Sequence, residues 1–193
     1  MQVTGDRAQA ASDADRRFES CFRANYAAVL AFAIRRLPDR ATAEDAAAET
    51  FAVAWRRREL IPEEPMPWLY GIALRVVANQ RRSSERRRRL GDRLEHEAGG
   101  WEGAPEPIDA LHRRDTFAAA FQRLGESERE VLRLIAWDGL DTREAASVLG
   151  CSTAAFRVRL HRARRRLAKQ LEAAGHSPQE RPPRASQPTE EAG

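Results

Sequence analysis

Apolar residues recur at spacings of three and four along most of this chain, and the two-residue alternation of a half-buried strand is almost absent. Alanine, leucine, arginine and glutamate supply most of those positions, so the prediction is an all-α protein. At 193 residues it can hold one domain or two small ones. Hydrophobic residues make up 42% and charged residues 32%, enough for a core and too polar for a membrane-embedded chain. The uncharged stretch Pro65–Leu74 holds two prolines and falls short of the roughly 20 residues a bilayer span needs. The opening MQVTGDRAQAASDADRR lacks an apolar core of its own, so no secretory signal and no membrane insertion are expected, and the default location is the cytoplasm.

Proline and glycine divide the periodic stretches. A first helix is predicted over 15–37, with Phe18, Phe22, Tyr26, Val29, Ala33 and Leu37 on one stripe and Pro38 ending it. Thr42, with Asp45 three residues on, reads as an N-cap for a second helix to about Arg58. Pro67 suits the first turn of a third helix, which carries Trp68, Leu69, Ile72, Ala73, Val76 and Val77 and runs into arginines. Residues 91–107 are rich in glycine, proline and acid and read as a flexible linker between two small helical domains, 15–90 and 108–174. In the second, a helix reaches Leu124. Ser127 to Glu130 then reads as a capping box for a helix burying Val131, Leu134 and Ile135, with Trp137 a further candidate, and Gly139 ends it. Thr142 is expected to cap a short helix to Leu149. Gly150 turns the chain, and Thr153 or Ser152 opens a last helix to Ala173. Residues 175–193 have the composition of a disordered tail.

Charge narrows the function. The net charge is +4 and the pI about 9.8, and of 33 basic residues only Lys169 is not arginine. Arginine matches the planar, two-pronged geometry of phosphate and guanine. Seven basic residues and no acid lie between Arg157 and Lys169, and a second cluster lies between Arg81 and Arg93, which together point to a polyanionic partner. Cys21 and Cys151 are far apart, neither in a CxxC pair, and the four histidines have no helical ligand spacing. No phosphate-binding, dinucleotide-binding or nucleophile-elbow motif occurs. No metal, no cofactor and no catalytic set is therefore expected, and the chain is read as a non-enzyme.

The segment 142–169 combines a short helix, a turn at Gly150-Cys151-Ser152 and a long basic helix. Phe156, Leu160, Ala163, Leu167 and Leu171 fall on one narrow stripe. The opposite face presents Ala154, Arg157, Val158, His161, Arg162 and Arg165, the pattern of a helix-turn-helix with an arginine-lined recognition face. The plainer alternative is a solvated basic face, but such a face normally mixes signs. Cys151 reads as a small buried hydrophobe in the turn.

These residues carry a family resemblance. LGESEREVLRLIAWDGLDTREAASVLGCSTAAFRVRLHRARRRL resembles region four, the promoter-binding domain, of extracytoplasmic-function sigma factors of bacterial RNA polymerase. DRATAEDAAAETFAVAWRR is similar to the polymerase-binding helix of region two in that family, and PWLYGIALRVVANQRR to its minus-ten helix. The resemblance implies that Glu44, Asp45, Glu49, Phe51 and Trp55 meet the β′ clamp of core polymerase, although the two aromatics read first as core and the acids also suit a helix N-terminus. It implies minus-ten contacts for Arg75, Asn79, Arg81 and Arg82, and minus-35 contacts for Arg157, Val158, Arg159, His161, Arg162 and Arg165. It also implies a β-flap contact, promoter DNA as ligand, an anti-sigma partner, and a linker threading toward the polymerase active site or RNA exit path. Arg75, Ala155 and Val158 depart from the residues usual in relatives, so base preference is expected to differ. The rival reading is a stand-alone helix-turn-helix regulator, which ordinarily dimerises; no dimer helix is evident.

Overall fold

The computed structural model describes residues 3–89 and 108–174, with side chains over 12–86 and 115–174. The expected linker over 91–107 and the tail over 175–193 lie outside the described residues. Among the described residues there are seven α-helices, a single 3₁₀ turn and no strand. The helices are α1 (Val3–Ile34), α2 (Arg40–Arg56), α3 (Pro65–Arg89), α4 (Ile108–Gln122), α5 (Glu126–Ala136), α6 (Thr142–Val148) and α7 (Thr153–Ala173), with the 3₁₀ turn at Arg58–Leu60.

The N-terminal unit packs α1, α2 and α3 against one another. Its core holds Val29, Phe32, Leu69 and Phe51, all essentially sealed from solvent. Four alanines of α2, Ala43, Ala46, Ala47 and Ala54, point inward and let its neighbours approach closely. Buried Thr50 satisfies its hydroxyl by donating to the Ala46 carbonyl at 2.7 Å. In the C-terminal unit α7 is the centre, touching α4, α5 and α6. Phe156, Leu160 and Ala163 are buried along the expected stripe, while Leu167 and Leu171 are half-buried where the helix runs out beyond its neighbours.

The helix starts differ from the sequence expectation. α1 begins at Val3, about three turns before Asp15, and its last full turn closes at Ile34, with Leu37 N–H still bonded to Ala33 O at 2.9 Å. The cap of α2 is Asp39, whose carboxylate accepts from the Thr42 N–H at 2.7 Å and from its hydroxyl at 2.8 Å. Thr42 is thus a donor inside the first turn, because Asp39 is the first acceptor side chain after Pro38 and has extended backbone. At α6 the cap is Asp141, accepting from Arg143 and Glu144, while Glu144 accepts in return from the Asp141 N–H at 2.7 Å. Thr142 is its first helical residue. α5 starts after Gly125, whose N–H donates to Glu128 at 2.9 Å, so Glu128 plays the returning half of the box and Ser127 is not the cap. Of the two candidates for α7, Ser152 is the cap, accepting from Ala155 N–H at 3.2 Å. Trp137 remains 45% exposed, resting its ring on Phe117 and Phe121 instead of entering the core.

Candidate nucleic-acid interface

The α6–turn–α7 segment meets the geometric demands of a helix-turn-helix. Gly139 (φ +70°) and Gly150 (φ +62°) hold the left-handed backbone that ends α5 and α6, a conformation costly to any residue bearing a Cβ. After Gly150, the Cys151 N–H reaches back to Ala146 O at 3.0 Å and locks the turn. Ala145 and Ala146 are buried where α6 crosses α7, and Phe156 fills the angle between them. Cys151 is half-buried against this core.

With that stripe turned inward, Arg157, Val158, Arg159, His161, Arg162 and Arg165 are all exposed. Val158 is 50% exposed, an apolar side chain held in solvent beside cations, suited to a thymine methyl group. Among the described residues no carboxylate pairs with Arg157, Arg159, Arg162 or Arg165; the one ion pair from this basic stretch is Arg166 to Glu128 of α5, at 3.2 Å. Unneutralised guanidinium groups on one helix face repel each other in low salt, and an anionic strand relieves that repulsion.

On α3 the four expected residues do not act as one set. Arg75, Asn79 and Arg82, spaced four and three, face solvent together, and Arg82 donates to the Asn79 side-chain oxygen. Arg81 points elsewhere. Its guanidinium donates to the Arg36 carbonyl at 2.9 Å and pairs with Glu126 of α5.

On α2, Glu44, Asp45 and Glu49 are exposed along one face, with Glu44 paired to Arg40 at 2.8 Å. The two aromatics part company. Phe51 is buried against Phe22 and Tyr26 and is unavailable to a partner in this conformation. Trp55, expected first as core, is 42% exposed, edge-on to Phe18 at 4.9 Å with Arg58 stacked on its ring. Phe22, absent from the expected set, is also exposed beside it.

Sequence reasoning missed the join between the two units. Arg36 is fully buried, forks onto Glu130 at 2.8 and 3.0 Å, bonds Asp138, and lies over the Phe32 ring 3.4 Å from its centre. Arg35 pairs with the same Asp138. On the rim, Glu126 receives Arg81, Arg129 at 2.7 Å and Arg133 at 3.1 Å. Burial works to raise the Glu126 carboxyl, but these guanidinium groups, Arg81 foremost, outweigh it and hold it at about 2. Burial likewise pulls Arg133 below the ordinary arginine value, against the opposing pull of Glu126 and Glu130. α3 packs on α6 at the same join, and the buried apolar cluster continues from one unit into the other.

Known proteins resemble both halves in this order. Residues 21–88 match the family model for Sigma-70 region 2, and residues 114–167 match that for Sigma-70, region 4. The chain is 30% identical over 154 residues to the ECF RNA polymerase sigma factor SigL of Mycobacterium tuberculosis, covering 78% of this chain and 86% of SigL. It is 34% identical over 178 residues to the RNA polymerase sigma factor CnrH of Cupriavidus metallidurans, covering 86% of this chain and 92% of CnrH. Its fold is similar to that of the sigma factor RpoE solved in complex with the anti-sigma factor NepR from Bartonella quintana, with TM-score 0.64 and 26% identity over 80% of this chain and 96% of RpoE.

Proposed function

The chain belongs to the extracytoplasmic-function sigma factors of RNA polymerase, transcription initiation factors, and we propose that its two helical units divide promoter recognition between them. In this reading residues 15–90 engage the minus-ten element and core polymerase, and residues 108–174 engage the minus-35 element. The observation that carries it is the α7 face, where exposed arginines with no carboxylate partner among the described residues stand opposite the buried Phe156, Leu160 and Ala163.

Each surface has work suited to its chemistry. Arg157, at the N-terminal end of α7, is the reader of base edges, where recognition helices meet the major groove. Arg165, two turns on, grips phosphate, and Arg159, His161 and Arg162 complete the contact with Val158 on a base methyl. On α3, Arg75 and Arg82 line the displaced strand, and Asn79 offers both a donor and an acceptor to an unstacked base. On α2, Glu44, Asp45 and Glu49 meet cationic side chains of the β′ clamp, with Trp55 and the neighbouring Phe22 as apolar anchors. The C-terminal unit reaches the β flap, and the linker follows the path toward the active site or RNA exit. Phosphodiester chemistry belongs to the polymerase; this chain carries none and works beside the polymerase in the cytoplasm. An anti-sigma partner that covers the polymerase-facing surfaces is supported by RpoE, a relative in fold solved with one.

The test is transcription in vitro by core polymerase plus the purified chain on a fragmented genomic library. Discrete transcripts sharing two spaced upstream elements are expected. Tight, sequence-specific binding of a dimer without polymerase, and no new transcripts with it, would favour the stand-alone regulator.

A further inference from the structure

Glycine is the least favourable residue inside a helix after proline, because it loses the most backbone freedom and packs nothing. Gly139 and Gly150 end helices with positive φ. Gly71 does neither. It lies in the second turn of α3, inside a helix of 25 residues, and its φ is not left-handed. No neighbour needs the space either. Outside its own turn of helix, a Cβ added at Gly71 would meet no atom of the described residues within 4 Å. The folded chain makes no use of this glycine, so its use lies with something that comes to the surface of α3.

Its place on the helix identifies that visitor. Helical phase sets Trp68, Gly71, Arg75, Asn79 and Arg82 along one side of α3, successive members three or four residues apart. Gly71 is partly exposed there, between half-buried Trp68 and exposed Arg75. From Pro65 to Ser84 the helix carries no acid, so an anion meets no like charge from α3 along this side. A bare turn of backbone next to a cationic stripe suits a strand of nucleotides better than an acidic or apolar protein face. Phosphates take the guanidinium groups, and a sugar or base lies on the helix where no side chain intervenes.

We propose that Gly71 is the point of closest approach between α3 and the displaced strand of the minus-ten element, where one nucleotide lies against bare helix while Arg75 and Arg82 hold the phosphates beside it. The proposal rests on the promoter-binding reading above. Any side chain at this position holds the strand off, by about the 1.5 Å of a carbon–carbon bond for alanine and further for larger residues. The glycine thus lowers the stability of the free helix and favours the melted promoter.

The experiment compares the full chain with Gly71→Ala and Gly71→Leu. Three quantities are read: the melting temperature of the free chain, the chain concentration giving half-maximal run-off transcription with core polymerase, and the plateau at saturation. Both variants are expected to melt a few degrees higher than the wild type, since each replaces glycine with a strong helix former. The plateau should nevertheless fall, about three-fold for alanine and about ten-fold or more for leucine, with half-saturation unchanged. Stiffening of the helix would treat alanine and leucine alike, so equal losses in the two would overturn the proposal. A raised half-saturation with a wild-type plateau would place a polymerase surface at Gly71 and overturn it as well. An active wild type matched in transcription by both variants would overturn the proposal alone. A wild type that directs no transcription at any concentration would overturn the promoter reading, and the proposal with it.

Discussion

The two arginine-rich helices, α3 and α7, look alike as strings of residues and differ in the folded chain. α7 buries a stripe within its own unit and leaves Arg157, Arg159, Arg162 and Arg165 with no carboxylate among the described residues. α3 presents only three of its four expected contacts on one exposed face, because the half-buried Arg81 is committed to Arg36 O and to Glu126, 45 residues away in both directions. The lesson is that a cation's availability to DNA depends on which acids the tertiary fold brings near it. Local net charge alone does not decide it.

The comparison can be broken most severely at the packing beneath α7. Phe156→Ala removes a fully buried ring where α6 and α7 cross and should cost about 3–5 kcal/mol of stability, read as a large fall in the melting temperature of the C-terminal unit. Arg157→Ala should leave the melt unchanged and cost about 1–3 kcal/mol of transcription at one minus-35 base pair, relaxing preference there; a panel of minus-35 variants measures it. Arg165→Ala should weaken all promoters alike and reduce the salt slope of promoter binding by about one unit. If Arg165→Ala shifts base preference while Arg157→Ala acts uniformly, the roles are reversed.

The smallest expected effect concerns acid. Glu126 sits at about 2 at the join, below its ordinary 4.5, with Arg81 of α3 and Arg129 and Arg133 of α5 facing it. A depressed carboxyl lends the folded join its full share of stability above the ordinary value and loses that share as pH falls through the folded value. Thermal melts should therefore show stability steady from neutral pH to about pH 4.5 and falling below it, with the part due to Glu126 missing in Glu126→Gln. Because Glu126 is nearly half exposed, solvent screening keeps this effect small.

Much of the architecture was legible from periodicity. The spacing of Phe156, Leu160 and Ala163 is enough to orient α7, since a helix admits one phase for that stripe. The helical phase would also have separated Arg81 from Arg75, Asn79 and Arg82, which fall on one face while Arg81 lies well round the helix. Caps were less legible. Asp39 and Thr42, three residues apart, and Asp141 and Thr142, side by side, are acceptors of similar propensity, and backbone angles at the entry to the helix choose between them. The ion pairs of Arg35 and Arg36 at the join were not legible at all. Nothing local distinguishes these two arginines from their neighbours, and their partners lie about a hundred residues on. Trp55 was misjudged because an aromatic at helical spacing suits a core, yet α2 fills its inner face with alanines and leaves the indole at the rim.

In the proposed reading, two separated DNA surfaces become a promoter reader when polymerase fixes their spacing, since each alone binds weakly and together they gain effective concentration. Nuclease footprinting of one promoter with the chain alone, core polymerase alone and both together tests this most directly. Protection at two upstream elements is expected only when both are present, with only weak, salt-sensitive protection by the chain alone. Strong protection of either element by the chain alone, unchanged on adding polymerase, would contradict it.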